Sequence, residues 1–222
     1  MPTSTVEDYL KTILLEQQKL GEGELVTMGQ IASALAVAPG TVTAMVKGLE
    51  KDGLLEYEPY SGVRLSEDGR QQAARVLRRH RLTELFLVEV LGFDWSEVHE
   101  EAEQLEHAMS EKLIDRIDAH LGHPTTDPHG DPIPDSDGHL RQLAVIGLDE
   151  APVGQPLVVA RVTDQDEAFL RFVERQGLRP GARVVVRSHD AIADAITLEP
   201  HGKSPVTLGS EAAAKLWIER PD

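Results

Sequence analysis

Residues 123–138 read HPTTDPHGDPIPDSDG. Prolines at 124, 128, 132 and 134 each remove a backbone donor and fix φ, so neither a helix nor an inner strand can run through this segment. It divides the chain into two kinds of pattern. Upstream, apolar residues recur at steps of three and four, the period of amphipathic helices. Downstream, they come in short β-branched runs between turn residues, the mark of strands. The division predicts a mainly α protein with a small β domain, with residues 123–138 as a Pro/Gly-rich linker.

The helical part begins with VEDYLKTILLEQQKL, where Val6, Leu10, Ile13 and Leu14 keep helical spacing and Ser4 or Thr5 is placed to cap. Thr27 precedes a short helix, MGQIASAL. After the turn AVA, Pro39 opens PGTVTAMVKGLEKDG at a first-turn position that tolerates proline. LLEYE and VRLS, joined by PYSG, read as a hairpin. Ser66 then opens a long helix from Glu67 to Leu91. Asp94 and Glu97 have capping-box spacing and predict a further helix running on to Gly122. Beyond the linker, PLVVARV, ARVVVRS, AITLEP and SPVTLG read as strands, with EAFLRFVERQG as one helix among them.

Two short helices, a tight turn and a hairpin follow one another in residues 27–65, the order of a winged helix-turn-helix. Val42, Met45, Val46 and Leu49 form the inward stripe of its second helix. Thr27, Pro39, Gly40, Thr41 and Thr43 lie at helix starts or on the outer face, where small and hydroxyl side chains permit close approach to a groove and bond phosphates or base edges. Lys47, Lys51 and Arg64 are the candidate phosphate contacts. A packing-only helical hairpin is the alternative.

Charge bears on the partner. The chain has a formal net charge of −16, with no cysteine. Residues 1–81 hold 10 Lys/Arg against 11 Asp/Glu, whereas residues 82–120 hold 2 against 11. The acidity is concentrated in the middle, where it costs self-repulsion that a bound cation relieves. In EVHEEAEQLEHAMSEKL, residues 97–113, Val98, Ala102, Leu105, Met109 and Leu113 form an apolar stripe, and His99, Glu103, Glu106 and His107 a second face bordering it. Carboxylates and imidazoles so spaced suit a metal; a solvated acidic face is the other reading. No apolar run is long enough to span a membrane and no basic-then-apolar leader is visible, so a cytoplasmic protein without disulfides or zinc-thiolate sites is expected.

The helix-turn-helix, the long helix with RRHRLTELFL, VHEEAEQLEHAMS, and HPTTDPHGDPIP together resemble the diphtheria toxin repressor family, which includes the iron-dependent regulators and the manganese transport regulators. The resemblance implies a dimeric, metal-loaded repressor that binds a palindromic operator. It implies a winged helix-turn-helix DNA-binding domain over 1–72, a helical metal-binding and dimerisation domain over 73–122, the linker, and an SH3-like (FeoA-like) domain over 139–222. It also implies ligands. Asp8, Glu103, Glu106 and His107 match one metal site; His80, Glu84 and His99 match a second, to which the SH3-like domain adds Asp164 and Glu167. The remaining histidines, among them His129, match nothing.

Iron-type members of that family have Met and Cys at the places of Asp8 and Glu103, while manganese-type members have Asp and Glu, as here. Manganese-type members also carry a Glu where this chain has Lys11, which opposes a closely spaced metal pair. Hard oxygen donors suit Mn2+, then Fe2+, with Co2+, Ni2+ or Zn2+ as test-tube substitutes. A winged-helix regulator answering a small organic ligand is the competing class. A carboxylate/histidine metalloenzyme is the third, and it lacks a nucleophile, a phosphate-cradling loop and a paired acid and base; no enzyme activity is expected.

Overall fold

The computed structural model describes residues 3–21, 23–141 and 143–221. It resolves into two compact units, one made of Met1–His80, Glu106–Ala108 and Pro134–Leu140, the other of Arg81–Leu105, Met109–Ile133 and Arg141–Asp222.

In the first unit, α1 (Ser4–Gln17) is capped by Thr3, whose hydroxyl accepts from the Val6 amide, rather than by Ser4 or Thr5. Helix α2 (Met28–Ala34) opens with a full capping box between Thr27 and Gln30, which satisfies two orphan donors at once. Helix α3 (Pro39–Lys51) starts on Pro39 and buries Val42, Val46 and Leu49. Strands β1 (Leu55–Glu58) and β2 (Gly62–Leu65) pair antiparallel, and Val26 bridges to Val63 beside them. Leu10, Ile13, Ile31, Val46, Leu49 and Leu77 share one core. Each such side chain contributes about 1.5–3 kcal/mol when fully buried, so the two short helices are held by packing.

Helix α4 (Glu67–Glu89) begins in the first unit and ends in the second. The helix predicted to run from Asp94 to Gly122 is two helices, α5 (Val98–Leu105) and α6 (Glu111–His120). Ser110 causes the restart, because its hydroxyl accepts from the Leu113 amide as an N-cap. Asp94 is no capping-box residue. Its Oδ1 accepts from the Ser96 amide and hydroxyl. The apolar stripe therefore breaks: Val98 and Ala102 are buried and Leu113 is exposed.

In the second unit, Leu82, Ile114, Ile117 and Ile133 form a small core. Residues 139–222 supply a six-stranded antiparallel sheet, in the order β3-β8-β4-β5-β6-β7. Its strands are β3 (Ile146–Gly147), β4 (Pro156–Val162), β5 (Arg183–Asp190), β6 (Ala195–Pro200), β7 (Val206–Gly209) and β8 (Leu216–Glu219), with α7 (Glu167–Gln176) and the short α8 (Ser210–Ala214) between them. The edge strand β3, α8 and β8 were not legible as elements.

The proline-rich segment is irregular but not free. Asp127, His129, Asp131 and Ile133 are buried. The His129 carbonyl accepts from the Val162 amide at 2.8 Å. Gly130 has φ +86, and a Cβ there would lie 2.0 Å from the Ala160 carbonyl oxygen. Only glycine lets this segment lie so close to β4.

Candidate metal centres and DNA-reading surface

Asp8, Glu106 and His107 come together in the first unit. Asp8 is in the first turns of α1, while Glu106 and His107 lie just past the end of α5. One ligand atom from each falls within 4.8 Å of the others, the spread that metal–ligand bonds of about 2.1 Å on one ion allow. His107 Nε2 is 2.8 Å from Asp8 Oδ1 and 3.4 Å from Glu106 Oε1.

Glu106 is fully buried and held on both oxygens. Lys11 Nζ donates to Oε1 at 2.7 Å, and His80 Nδ1 lies 2.6 Å from Oε2. Lys11, buried as well, offsets charge that an isolated carboxylate could not carry out of water. The donor set of two carboxylates and an imidazole fits a divalent cation of the Mn2+ or Fe2+ kind.

The other expected ligands divide between the units. His80 stands in the first unit, against Glu106. Glu84, His99 and Glu103 stand in the second. There His99 Nδ1 is 3.1 Å from Glu84 Oε1, and His99 Nε2 is 3.7 Å from Glu103 Oε1. Asp164 pairs with Lys215 at 2.9 Å, and Glu167 with Arg171 at 2.8 Å.

A third grouping was missed from sequence. Glu84, Asp127 and His129, all buried, each offer a ligand atom within 4.8 Å of the others. His129 Nε2 meets the Trp95 carbonyl oxygen at 2.8 Å. As a donor there, it leaves Nδ1 facing Glu84 Oε2 at 3.8 Å, which is the tautomer a metal ligand needs. His129 Nδ1 and Asp127 Oδ2 have no hydrogen-bond partner among the described residues. Asp127 Oδ1 accepts the amides of His129 and Asp131.

Burial, with the charges of Asp131 and Glu84 beside it, pushes the Asp127 carboxyl up to about 7, against the pull of Arg81 and His129. Burial pulls the His129 imidazole down, but Glu84 and Asp127 outweigh it and leave it raised. Arg81 Nε stands 3.5 Å from Asp127 Oδ2, and Arg161 Nη2 is 2.5 Å from Asp131 Oδ1. Carboxylate oxygens and an imidazole nitrogen gathered in a buried, acid-rich pocket fit a small cation. The readable signal is the D-x-H spacing of DPHGDP, which lies in a stretch whose composition reads as a linker.

On the outer surface of the first unit, Thr27, Pro39, Gly40, Thr41, Lys47, Lys51 and Arg64 are exposed. Thr43 is half-buried and gives its hydroxyl hydrogen to the Pro39 carbonyl. Arg64 is not a bare cation: its Nε donates to Glu56 at 2.6 Å across the hairpin.

Comparison with known proteins accords with this architecture. Residues 1–63 match the family model described as the iron dependent repressor N-terminal DNA binding domain. Residues 66–135 match the iron dependent repressor metal binding and dimerisation domain, and residues 146–220 the FeoA domain. The iron-dependent repressor IdeR of Mycobacterium leprae (strain TN) is 36% identical, over 97% of both chains. The diphtheria toxin repressor of Corynebacterium efficiens is 36% identical over 66% of this chain and 59% of its own. Among solved structures, a manganese-dependent transcriptional repressor in complex with manganese superposes with a TM-score of 0.88 at 37% identity, over 97% of this chain and 100% of that one. The apo form of the manganese-activated repressor ScaR gives 0.79 at 32%, over 96% and 100%. With its three parts matched in order and near-complete coverage of a relative at this identity, the chain belongs to the iron-dependent repressor family, that of the diphtheria toxin repressor.

Proposed function

We propose that this protein is a metal-activated transcriptional repressor of metal-ion homeostasis that binds a palindromic operator as a homodimer. The observation that carries the reading is the Asp8–Glu106–His107 cluster, which joins the first helix of the DNA-binding part to the segment that follows α5. Glu103 is the fourth ligand that the family resemblance implies. A divalent cation held there supplies the positive charge that Asp8 and Glu106 share, and its binding favours the arrangement in which α1 is fixed. Glu84, Asp127 and His129 hold a second cation. His80, His99, Asp164 and Glu167 are the further ligands that the family resemblance implies.

Manganese is the preferred signal, because all donors are oxygen or imidazole and none is a thiolate or thioether. Affinity alone rises from Mn2+ through Fe2+ to Co2+ and Ni2+, so selection rests on coordination number. The family supports either metal: relatives are named iron-dependent and structural neighbours manganese-dependent.

Thr41, Thr43, Lys47 and the start of α3 at Pro39 and Gly40 face the major groove; Thr27, Lys51 and Arg64 hold the phosphates. The near-even charge of residues 1–81 makes operator affinity depend on the dimer and on metal. The test is operator binding by the full chain, without oxygen, against free Mn2+ and free Fe2+. Tight binding only with metal, reached with Mn2+ at cellular free concentrations, is the expected result; a response to Fe2+ alone at such concentrations overturns the manganese assignment. Metal-independent binding overturns the reading in favour of a regulator answering an organic ligand.

A further inference from the structure

We propose that Glu7 is the positioning residue of the Asp8–Glu106–His107 centre, fixing which nitrogen of His107 is left for a metal. The proposal rests on the reading of that cluster as a metal centre.

Glu7 and Asp8 are neighbours on α1 and hold opposite nitrogens of one imidazole. Glu7 Oε2 is 2.7 Å from His107 Nδ1, and Asp8 Oδ1 is 2.8 Å from His107 Nε2. Glu106 Oε1 also lies on the Nε2 side, at 3.4 Å. The candidate ligands therefore converge on Nε2, and Nδ1 is turned away from them. Glu7 is kept out of the ligand set by Arg79, whose Nη2 donates to Glu7 Oε1 at 2.7 Å. Glu7, Arg79 and His107 are all largely buried, with side chains 12–19% exposed. Little water competes for these bonds.

One carboxylate, then, accepts Nδ1–H with one oxygen and Arg79 with the other. A carboxylate on the far nitrogen of a ligating imidazole fixes its tautomer and ring angle and raises its basicity. Arg79 belongs to α4 and Glu7 to α1, so the same three residues tie the imidazole to both helices. Glu7→Gln tests the assignment with almost no change of shape. Arg79 keeps the amide oxygen, so the amide NH2 is presented to His107 Nδ1. That favours a proton on Nε2, the nitrogen a metal needs bare.

The experiment uses the full chain with 15N-labelled histidine in an Asp127→Asn background, so that the second centre does not contribute. Mn2+ affinity is measured by competition with a chelator for this protein and for added Glu7→Gln or Asp8→Ala. Glu7→Gln should weaken Mn2+ binding 10- to 100-fold, and long-range 1H–15N spectra should show His107 moving from the Nδ1–H to the Nε2–H form. Unchanged affinity with an unchanged tautomer overturns the proposal, provided Asp8→Ala does lose binding. Equal Mn2+ binding with and without Asp8→Ala overturns the metal reading beneath it as well. A measurement that needs no variant at position 7 uses 113Cd2+. Coupling of cadmium to His107 Nε2, with Nδ1 still protonated, is expected; coupling to Nδ1 overturns the proposal even if Glu7→Gln does not fold.

Discussion

Single side chains set the pH response. The Asp127 carboxyl, raised by burial and by its acidic neighbours to about 7, keeps its proton in the folded protein over a range in which the unfolded chain has lost it. Metal-free stability should therefore fall as pH rises from about 4 through 7. A cation needs the ionised carboxylate, so it should bind better over the same rise. Melting curves with a chelator and with Mn2+, at pH 5.5 and pH 8, check both. The stabilisation by metal should be larger at pH 8, and Asp127→Asn should flatten the decline seen without metal. Trp95 reports on the same place, since its ring stacks on His129 with centroids 5.4 Å apart. Mn2+ should quench Trp95 emission in the parent protein and fail to do so in His129→Ala. Glu106 behaves differently from its neighbours. Glu106→Ala takes the carboxylate from buried Lys11 and should cost about 3–5 kcal/mol even without metal, measurable by urea unfolding. Asp8→Ala is the cleaner probe and should lose metal-dependent operator binding while the dimer persists.

Among the elements, the break between α5 and α6 matters most. A continuous helix would have kept Glu106 and His107 on the face they share with His99 and Glu103. The restart at Ser110 instead releases Glu106–Ala108 from the helix and puts them in the unit that holds α1. Ser110→Ala removes the cap of α6 and should destabilise the protein by about 1 kcal/mol. If the break positions the centre, the variant should also shift the Mn2+ concentration needed for operator binding; a stability loss with an unshifted metal response would separate the two effects. Gly130 plays the corresponding part for the Glu84–Asp127–His129 grouping. Its close approach to β4 keeps Asp127 and His129 buried against Glu84.

For the molecule as a whole, we propose that the apolar surface left open is the self-association face. Leu82 and Leu87 of the LTELFLVEVLGF run are buried, whereas Val90, Leu91, Phe93 and Leu113 are exposed. Leu91→Glu with Phe93→Glu should give a monomer in sedimentation, with operator affinity reduced at least 100-fold if the operator is palindromic as proposed, since a palindrome is read by two recognition helices in successive major grooves.

Period and punctuation in the sequence determined the helices α1 to α4, the hairpin, four of the β strands and the change from α to β at the proline-rich segment. These are local properties, written in spacing, caps and turn residues. The family resemblance named Asp8, Glu106 and His107, and the fold brought those three together. What tertiary structure alone decided was long-range. The family resemblance sets Lys11 against a closely spaced metal pair, but only the fold buries it against a carboxylate 95 positions away. Nothing in the spacing singles out Glu7, yet it grips an imidazole 100 positions on. His129 sits in a stretch whose composition says loop, but the close approach at Gly130 and the hydrogen bond to Val162 bury it beside Glu84. Spacing along a chain specifies which residues share a face of one element. Which faces meet depends on how the cores pack, and that is where the charged groups of this protein acquire their partners.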